Sequence, residues 1–467
     1  MRIRLRRRAL WLWAISGGLL LGALTLALAQ AGSRLLVVNA LSENLSVIDI
    51  AADKSLGSIP LGAHGYRVAL SPDGHTAYVT TTSEVTNAAQ AGTRTAISSA
   101  NLLIVDLIKP RVAGRIPLDI SPLANVHVHP DGRTAFVVTA GPPGSRNLER
   151  GRVLFVDLPQ RRVAQAVNIG LNPLDSVMTP DGRLLFTADW GSRSISVVDL
   201  ANARLLDTIP LGMSAARTLA MRPDGEHVYA ALETPFIAYN NIQANAFMAQ
   251  TMNFTNTPGG GTTIADIEVG TRKITQFPVE DLKSVIAIAV APDGKRLYAY
   301  GTATAQPLTI EQASAQNNQA RSQSKAVQPP AQQQQIAAPA ETFVLLAIDP
   351  AKGRVVRRFG AYGYLSALAV SPDGKKLYLI GTPGDPAREA AVSRQVNDRV
   401  RSANFGNDAR NSKAGPSLPE SQDTMSGILD DLRNLPKTLT VLDAGTGRPL
   451  KSLPLGSLPQ GYGVVGK

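Results

Sequence analysis

The sequence predicts an all-β chain: a seven-bladed β-propeller of four-stranded antiparallel blades, its ring closed by the two ends of the chain sharing one blade. Three observations carry that expectation. The turn Pro-Asp-Gly recurs six times between apolar runs, beginning at Pro72, Pro130, Pro180, Pro223, Pro292 and Pro372. Proline presets φ, aspartate caps its own backbone and glycine takes the φ > 0 position, so each copy closes a tight hairpin, with a bulge expected there. An apolar strand ends in aspartate seven times, at Asp49, Asp106, Asp157, Asp199, Asp266, Asp349 and Asp443, spaced by 57, 51, 42, 67, 83 and 94 residues. A unit near 42 residues with variable insertions is a blade repeat. The third observation is that the first strand, Arg34–Asn39, has no turn before it, whereas Gly461-Tyr462-Gly463-Val464 matches the strand that begins Gly65-Tyr66-Arg67-Val68. The two termini therefore complete one blade, and its edges are paired rather than left open.

Residues 173–212 show the unit most clearly: PLDSVM, the turn, RLLFTADW, then ISVVDL and LLDTIPLG, four strands A to D. Aligned on the turn proline, strand A carries a large row (Val68, Val126, Leu219, Ile288, Leu368) and a smaller one (Ala69, Val177, Ala220, Ala289, Ala369). Large against small suits faces that interdigitate between blades. The domain reading is a leader over 1–31 and one propeller over 33–467. The leader has a basic start, an apolar run from Ala9 to Ala29 and Ala27-Leu28-Ala29-Gln30-Ala31 with A-x-A cleavage sites. It reads as a secretory signal peptide or, at 21 apolar residues, as an uncleaved membrane anchor. Either places the ring outside the cytoplasm, in the periplasm, at the cell surface or secreted.

Four insertions, at about 83–99, 234–261, 304–340 and 384–436, all fall between strands B and C. In a meandering blade the B–C and D–A loops share one face, so all four project from it. The 304–340 stretch is rich in Gln, Ala, Pro and Ser and is expected to be disordered. The last insertion carries Val392, Val396 and Val400 and a second stripe, Met425, Ile428, Leu429, Leu432 and Leu435, which predict two short helices. The blade 5 insertion gathers Phe236, Tyr239, Phe247, Met248, Met252 and Phe254 in a chain with few aromatics, a candidate binding surface or a self-anchoring lid.

The formal net charge is +11, but five arginines lie in the leader, which leaves +6, and no Lys/Arg cluster interleaved with aromatics argues for nucleic acid. With no cysteine there are no disulfides, no thiolate ligands or nucleophiles and no c-type haem attachment. The repeat, with Tyr78-Val79-Thr80 after SPDGHTA, Phe186-Thr187-Ala188-Asp189-Trp190 before Ser194-Ile195-Ser196-Val197-Val198-Asp199, and closing strands such as Ile209-Pro210-Leu211-Gly212, resembles the YVTN repeat. That resemblance covers about 33–467 apart from the insertions. It implies a secreted or surface-associated seven-bladed propeller, a scaffold rather than a chemistry.

The chain has five histidines, His64, His75, His127, His129 and His227. His127 and His129 share one face of a strand, and none has zinc-ligand spacing, so no metal is expected. The strand-C aspartates read as turn caps. D–A connections bring His64, Arg67, Asp175, Arg217 and Lys283 to the channel mouth, a mixed-charge ring suited to a small anion or sugar acid. Neither a lactonase motif nor the tryptophan repeat of quinone-dependent dehydrogenases is present, and GxSxG, HExxH and phosphate-loop patterns are missing. The reading is an exported envelope scaffold without a catalytic residue or cofactor, engaging an envelope protein or small ligand through its loop-bearing face. A lactonase-like hydrolase at the channel mouth is the alternative, and weak polyanion binding a second.

Overall fold

In the computed structural model each Pro-Asp-Gly turn closes the A–B hairpin of a blade. Gly74 takes φ +69°, its N–H reaches Ser71 O at 2.8 Å, and Asp73 accepts from the His75 amide. The same left-handed glycine recurs at Gly132, Gly182, Gly225, Gly294 and Gly374. No register shift falls at these turns. The shifts in the A–B pairs lie at the opposite end of strand A, at Gly65/Arg67, Pro173/Asp175, Ala216/Thr218 and Leu365/Ala367, which moves the expected bulge to the loop-bearing face. The structure describes residues 34–40, 42–82, 100–118, 125–139, 150–233, 262–303, 343–362, 365–381, 437–456 and 459–465.

Seven four-stranded antiparallel sheets form the ring. Blade 1 takes strand A (Pro459–Val465) from the end of the chain and strands B to D (Arg34–Asn39, Asn44–Asp49, Lys54–Pro60) from its start. Blades 2 to 7 then follow in order, their A strands being His64–Leu70, Val126–Val128, Pro173–Met178, Ala215–Met221, Leu282–Val290 and Leu365–Val370. The C-terminal strand does close the ring, but in a different register from the sequence match. Val38 pairs with Gly461 and its counterpart Thr80 with Arg67, so Gly461, rather than Gly463, stands level with Arg67. Residues 83–99, 234–261 and two further gaps all join strand B to strand C, as expected. Their interiors, with the helices expected near Val396 and Leu429, lie outside the described residues.

Seven apolar clusters hold the ring, and each spans two neighbouring blades. Val68 of blade 2 packs with Leu36 and Val38 of blade 1, Ile288 of blade 6 with Ala220 of blade 5, and Leu368 of blade 7 with Ala289 of blade 6. The large row of strand A thus faces the preceding blade and the small row the following one. Buried Leu, Ile and Phe side chains each contribute about 1.5–3 kcal/mol, so the stability sits between blades. At Gly301 a Cβ would stand 1.8 Å from the backbone oxygen of Ser284, and that approach fixes glycine there. Where blade 7 meets blade 1, Lys376 Nζ reaches Asp53 Oδ2 at 2.7 Å and Ile50 O at 3.1 Å.

The strand-C aspartates cap their turns in six blades: Asp49, for instance, accepts from the amides of Ala51 and Ala52 at 2.8 and 2.9 Å. Blade 5 corrects the sequence count. Glu268, not Asp266, pairs with the first residue of strand B, His227, and its side chain accepts from Thr271. Asp266 lies two residues earlier, on the same side of the strand, and bonds His227 Nδ1 at 2.7 Å instead. With Glu268 in place, an acid is followed five residues later by Lys or Arg in every blade: Lys54, Arg111, Arg162, Arg204, Lys273, Arg354 and Arg448. All seven are exposed where strand D begins. Truncation after Gly456 removes strand A of blade 1 and leaves Arg34–Asn39 as a bare edge. We expect the shortened chain to lose its cooperative thermal transition and to elute as aggregate in size-exclusion chromatography.

Candidate functional site

The A strands stand around the ring axis, and the position five residues before each turn proline is polar in four consecutive blades: Arg67, Asn125, Asp175 and Thr218. These side chains form a belt that crosses three seams. Arg67 Nε donates to Asn125 Oδ1 at 2.8 Å, and Asn125 Nδ2 donates to Asp175 Oδ1 at 2.6 Å. Asp175 Oδ2 accepts from Thr218 Oγ1 at 2.9 Å and from the Leu219 amide at 2.8 Å. Glu233 continues the belt, accepting from Ser284 Oγ at 2.8 Å and standing 3.7 Å from Arg217. In blades 6 and 7 the same position is Ala287 and Ala367, and in blade 1 Gly461, so the polar wall covers one side of the axis.

Of the five residues expected at the channel mouth, Arg67 and Asp175 are joined through Asn125, Arg217 stands 3.7 Å from Glu233, and Lys283 precedes Ser284 in the chain. His64 turns away from them. Its Nδ1 meets Ala40 O at 3.0 Å and its Nε2 lies 3.7 Å from Glu43, so it ties blade 2 to the B–C turn of blade 1. Asn125 and Thr218 stand at the same offset from the turn as Arg67 and Asp175, and that shared offset is the sequence signal for them. Phe236, Tyr239, Phe247, Met248, Met252 and Phe254 lie outside the described residues. As chemistry, the belt is a committed one. Asp175 accepts four hydrogen bonds, counting the Ser176 amide, which occupies the lone pairs a general base would use.

The seam between blades 3 and 4 differs from the others. Its apolar cluster includes no buried inner-strand residue; the two facing inner positions are His127 and Ser176, with Nε2···Oγ 2.8 Å. His129 lies on the same side, against Gly182 of the next turn. The His127 ring is packed in the seam, and loss of hydration lowers its pKa to about 4, with the nearby Asp175 charge opposing. On the loop-bearing side of the seam, Asp189 is fully buried. It accepts from Ser196 Oγ at 2.5 Å, Thr187 Oγ1 at 2.8 Å and the Gly170 amide of blade 3 at 3.2 Å. Burial nevertheless raises its pKa to about 6, those hydrogen bonds holding it down. Among the described residues no three His, Asp or Glu stand where they could hold a metal ion. A shallow depression of about 210 Å³ lies off the axis, between Asp131 and Arg133 of the blade 3 A–B turn and Asp157 and Gln160 of its C–D turn.

No family model and no curated protein matches the chain. The fold is shared with 1395 solved chains, so its presence selects no activity. One, a Bacteroides uniformis protein provisionally described as a 6-phosphogluconolactonase, is 12% identical with a TM-score of 0.52, over 93% of this chain and 100% of that one. Another, the Kuenenia stuttgartiensis hydrazine synthase, is 18% identical with a TM-score of 0.49, over 74% of this chain and 88% of that one.

Asp189 and His127 of the blade 3–4 seam act on stability with opposite sign. Asp189 binds its proton more tightly folded than unfolded, so its contribution is present at low pH and lost as pH rises from about 4 to about 6. His127 binds its proton less tightly folded, so its contribution is lost as pH falls from about 6.5 to about 4. Relative to wild type, Asp189→Asn should therefore gain stability between pH 4 and 6, by about 3 kcal/mol across the window. His127→Gln should lose stability, relative to wild type, over the same pH rise. Denaturant melts of the three proteins at pH 4, 5, 6 and 7 measure both trends, and parallel curves would refute the assignment.

Proposed function

We propose that this chain is an exported cell-envelope propeller of the YVTN-repeat type that acts as a non-catalytic scaffold, binding an envelope protein or a small ligand through its insertion-bearing face. The observation that supports this most is the distribution of long B–C connections. Those of blades 2, 5, 6 and 7 leave from one face, whereas the opposite face is built of connections four to six residues long. Connections on a rigid frame are where recognition is carried. The belt supports the same reading, because Asp175 and Glu233 are engaged in holding blades together. The leader supports export, and the repeat residues Tyr78-Val79-Thr80 and Ser196-Val197-Val198-Asp199 support the family likeness.

A hydrolase acting at the ring axis, as the provisional lactonase likeness would suggest, needs a carboxylate free to take a proton. Asp175 would have to break its bonds to Thr218 and Leu219 to serve. The readings separate by substitution. Replacing residues 238–256 by a short Gly/Ser linker should abolish recovery of a stoichiometric partner from solubilised envelope, whereas Asp175→Asn should retain it while lowering stability by about 1–3 kcal/mol. The opposite pattern, with lactone turnover by the wild type that Asp175→Asn abolishes, would replace the scaffold reading by the hydrolase.

A further inference from the structure

Beyond the insertion-bearing face, the rim carries a second surface. The exposed large apolar residues of the described chain are Leu56, Ile108, Leu205, Leu206, Met213, Val356 and Leu450. Four of them occur in consecutive blades: Val356 in blade 6, Leu450 in blade 7, Leu56 in blade 1 and Ile108 in blade 2. They are 40, 50, 53 and 66% exposed. Val356, Leu450 and Leu56 each stand two residues after the rim cation that opens strand D, at the residue its bulge pushes out of register. Ile108 is at the tip of the neighbouring C–D turn, between the Asp106 cap and Lys109. Blades 2 and 3 have Ala113 and Ala164 at the bulge position, and strand D of blade 5, with Thr275 paired to Asp266, has no bulge. In blade 4 Leu206 is followed by the carboxylate Asp207.

The charges along this arc are layered. The carboxylates are drawn into the turns: Asp349 is 18% exposed and Asp53 17%, the latter held by Lys376. The cations stand outside them. Arg354, Arg357, Lys451, Lys54 and Lys109 are all exposed, and Lys352 is 62% exposed. An approaching surface therefore meets separate aliphatic side chains set among cations. The arc is convex and is divided among four blades, which suits a deformable interface better than a complementary protein pocket. A third observation fixes where it faces. Strand B of blade 1 starts at Arg34 on the turn-bearing side, at the centre of this arc, so the apolar run Ala9–Ala29 leads into the ring there.

We propose that the corner of the ring formed by the C–D turns and D strands of blades 6, 7, 1 and 2 docks on an anionic lipid bilayer surface, through Val356, Leu450, Leu56 and Ile108 and the cations beside them. The insertion-bearing face then points away from the bilayer. The proposal shares with the scaffold reading only the envelope location, and no partner protein enters it.

The test uses the chain from Gly32 onward, because all seven sheets are built within residues 34–465 and the leader arginines would add their own lipid preference. Sedimentation is measured with phosphatidylcholine vesicles and with vesicles containing about one-third phosphatidylglycerol. The expected result is at least about tenfold tighter binding to the anionic vesicles, lost at high salt. A variant combining Lys54→Gln, Arg354→Gln, Arg357→Gln and Lys451→Gln should lose that preference, and Leu56→Ser with Leu450→Ser should weaken binding at constant charge. A control with Arg162→Gln, Arg204→Gln and Lys273→Gln, in blades 3 to 5, should keep it. All variants are compared at matched thermal stability. Equal binding to both vesicle types, or equal loss in the control and arc variants, would overturn the proposal. Loss of a protein partner on replacing residues 238–256, by contrast, would leave it untouched.

Discussion

Each blade here can bury its two sheet faces only against its neighbours, and the seven apolar clusters accordingly lie in the seams. The same constraint sets the composition. Inner strands are close together, so one row must be small where the facing row is large, as Ala220 is against Ile288. Aromatic residues are few, yet six of the seven seams hold at least one. Where they do occur they interlock, as Phe136 and Phe155 do edge to face at 5.1 Å and 83°. Ring closure follows as well: without strand A from the end of the chain, the seams on both sides of blade 1 would lose a wall.

Polar side chains enter this frame where a seam position is not filled by an apolar residue, and the blade 3–4 seam shows what that costs. A His–Ser pair replaces the usual large–small packing, and a buried carboxylate sits beside it in a cage of hydroxyls. Blade 1 has Asn39 at the place of Asp189, with Ser46 at that of Ser196, the amide donating to the hydroxyl at 2.8 Å. The neutral amide ties strands B and C of its own blade, through Asn44 and Ser46, without a charge to bury. Because His127 and Asp189 shift in opposite directions, the penalties of their seam partly cancel across mildly acidic pH.

Most of this architecture was legible because a blade repeats its chemistry. The turns, the strand-C caps and the shared blade follow from residues that must do the same job seven times. What was not legible depended on register. Asp266 carries the expected residue type, yet one blade places Glu268 at the capping position, and only the pairing of His227 with Glu268 reveals it. His64 shares a strand with Arg67 but is held at the strand end by Ala40 and Glu43 of blade 1, whereas Arg67 reaches Asn125 of blade 3. The belt residues Asn125 and Thr218 are uncharged, so only their shared offset from the turn, and no ionisable group, marks them in the sequence. The acid-to-base interval of five residues was present in every blade, but it emerges only after Glu268 takes its place in the row.

Hairpin parity also divides the surface. A–B and C–D turns must fall on one side and B–C and D–A connections on the other, so insertions lengthen one face while the other stays flat. Cations that open strand D are confined by the same parity to the flat side, where cross-strand pairing with an acid sinks the carboxylate and leaves the base outside, as Asp199 at 15% and Arg204 at 61% exposure show. Paired charge of this kind gives little stability at a surface. Its persistence in all seven blades is explained by edge protection, since a strand D that opens on Lys or Arg, and in six blades also carries a bulge, is a poor template for another strand. In blades 6, 7, 1 and 2 the bulge position or the adjoining turn bears a large aliphatic residue, which works against that protection. Blade 4 also has an aliphatic bulge, Leu206, but there a carboxylate, Asp207, stands beside it. What sets those four blades apart is therefore a large aliphatic residue set among cations, and that combination is what the bilayer proposal rests on.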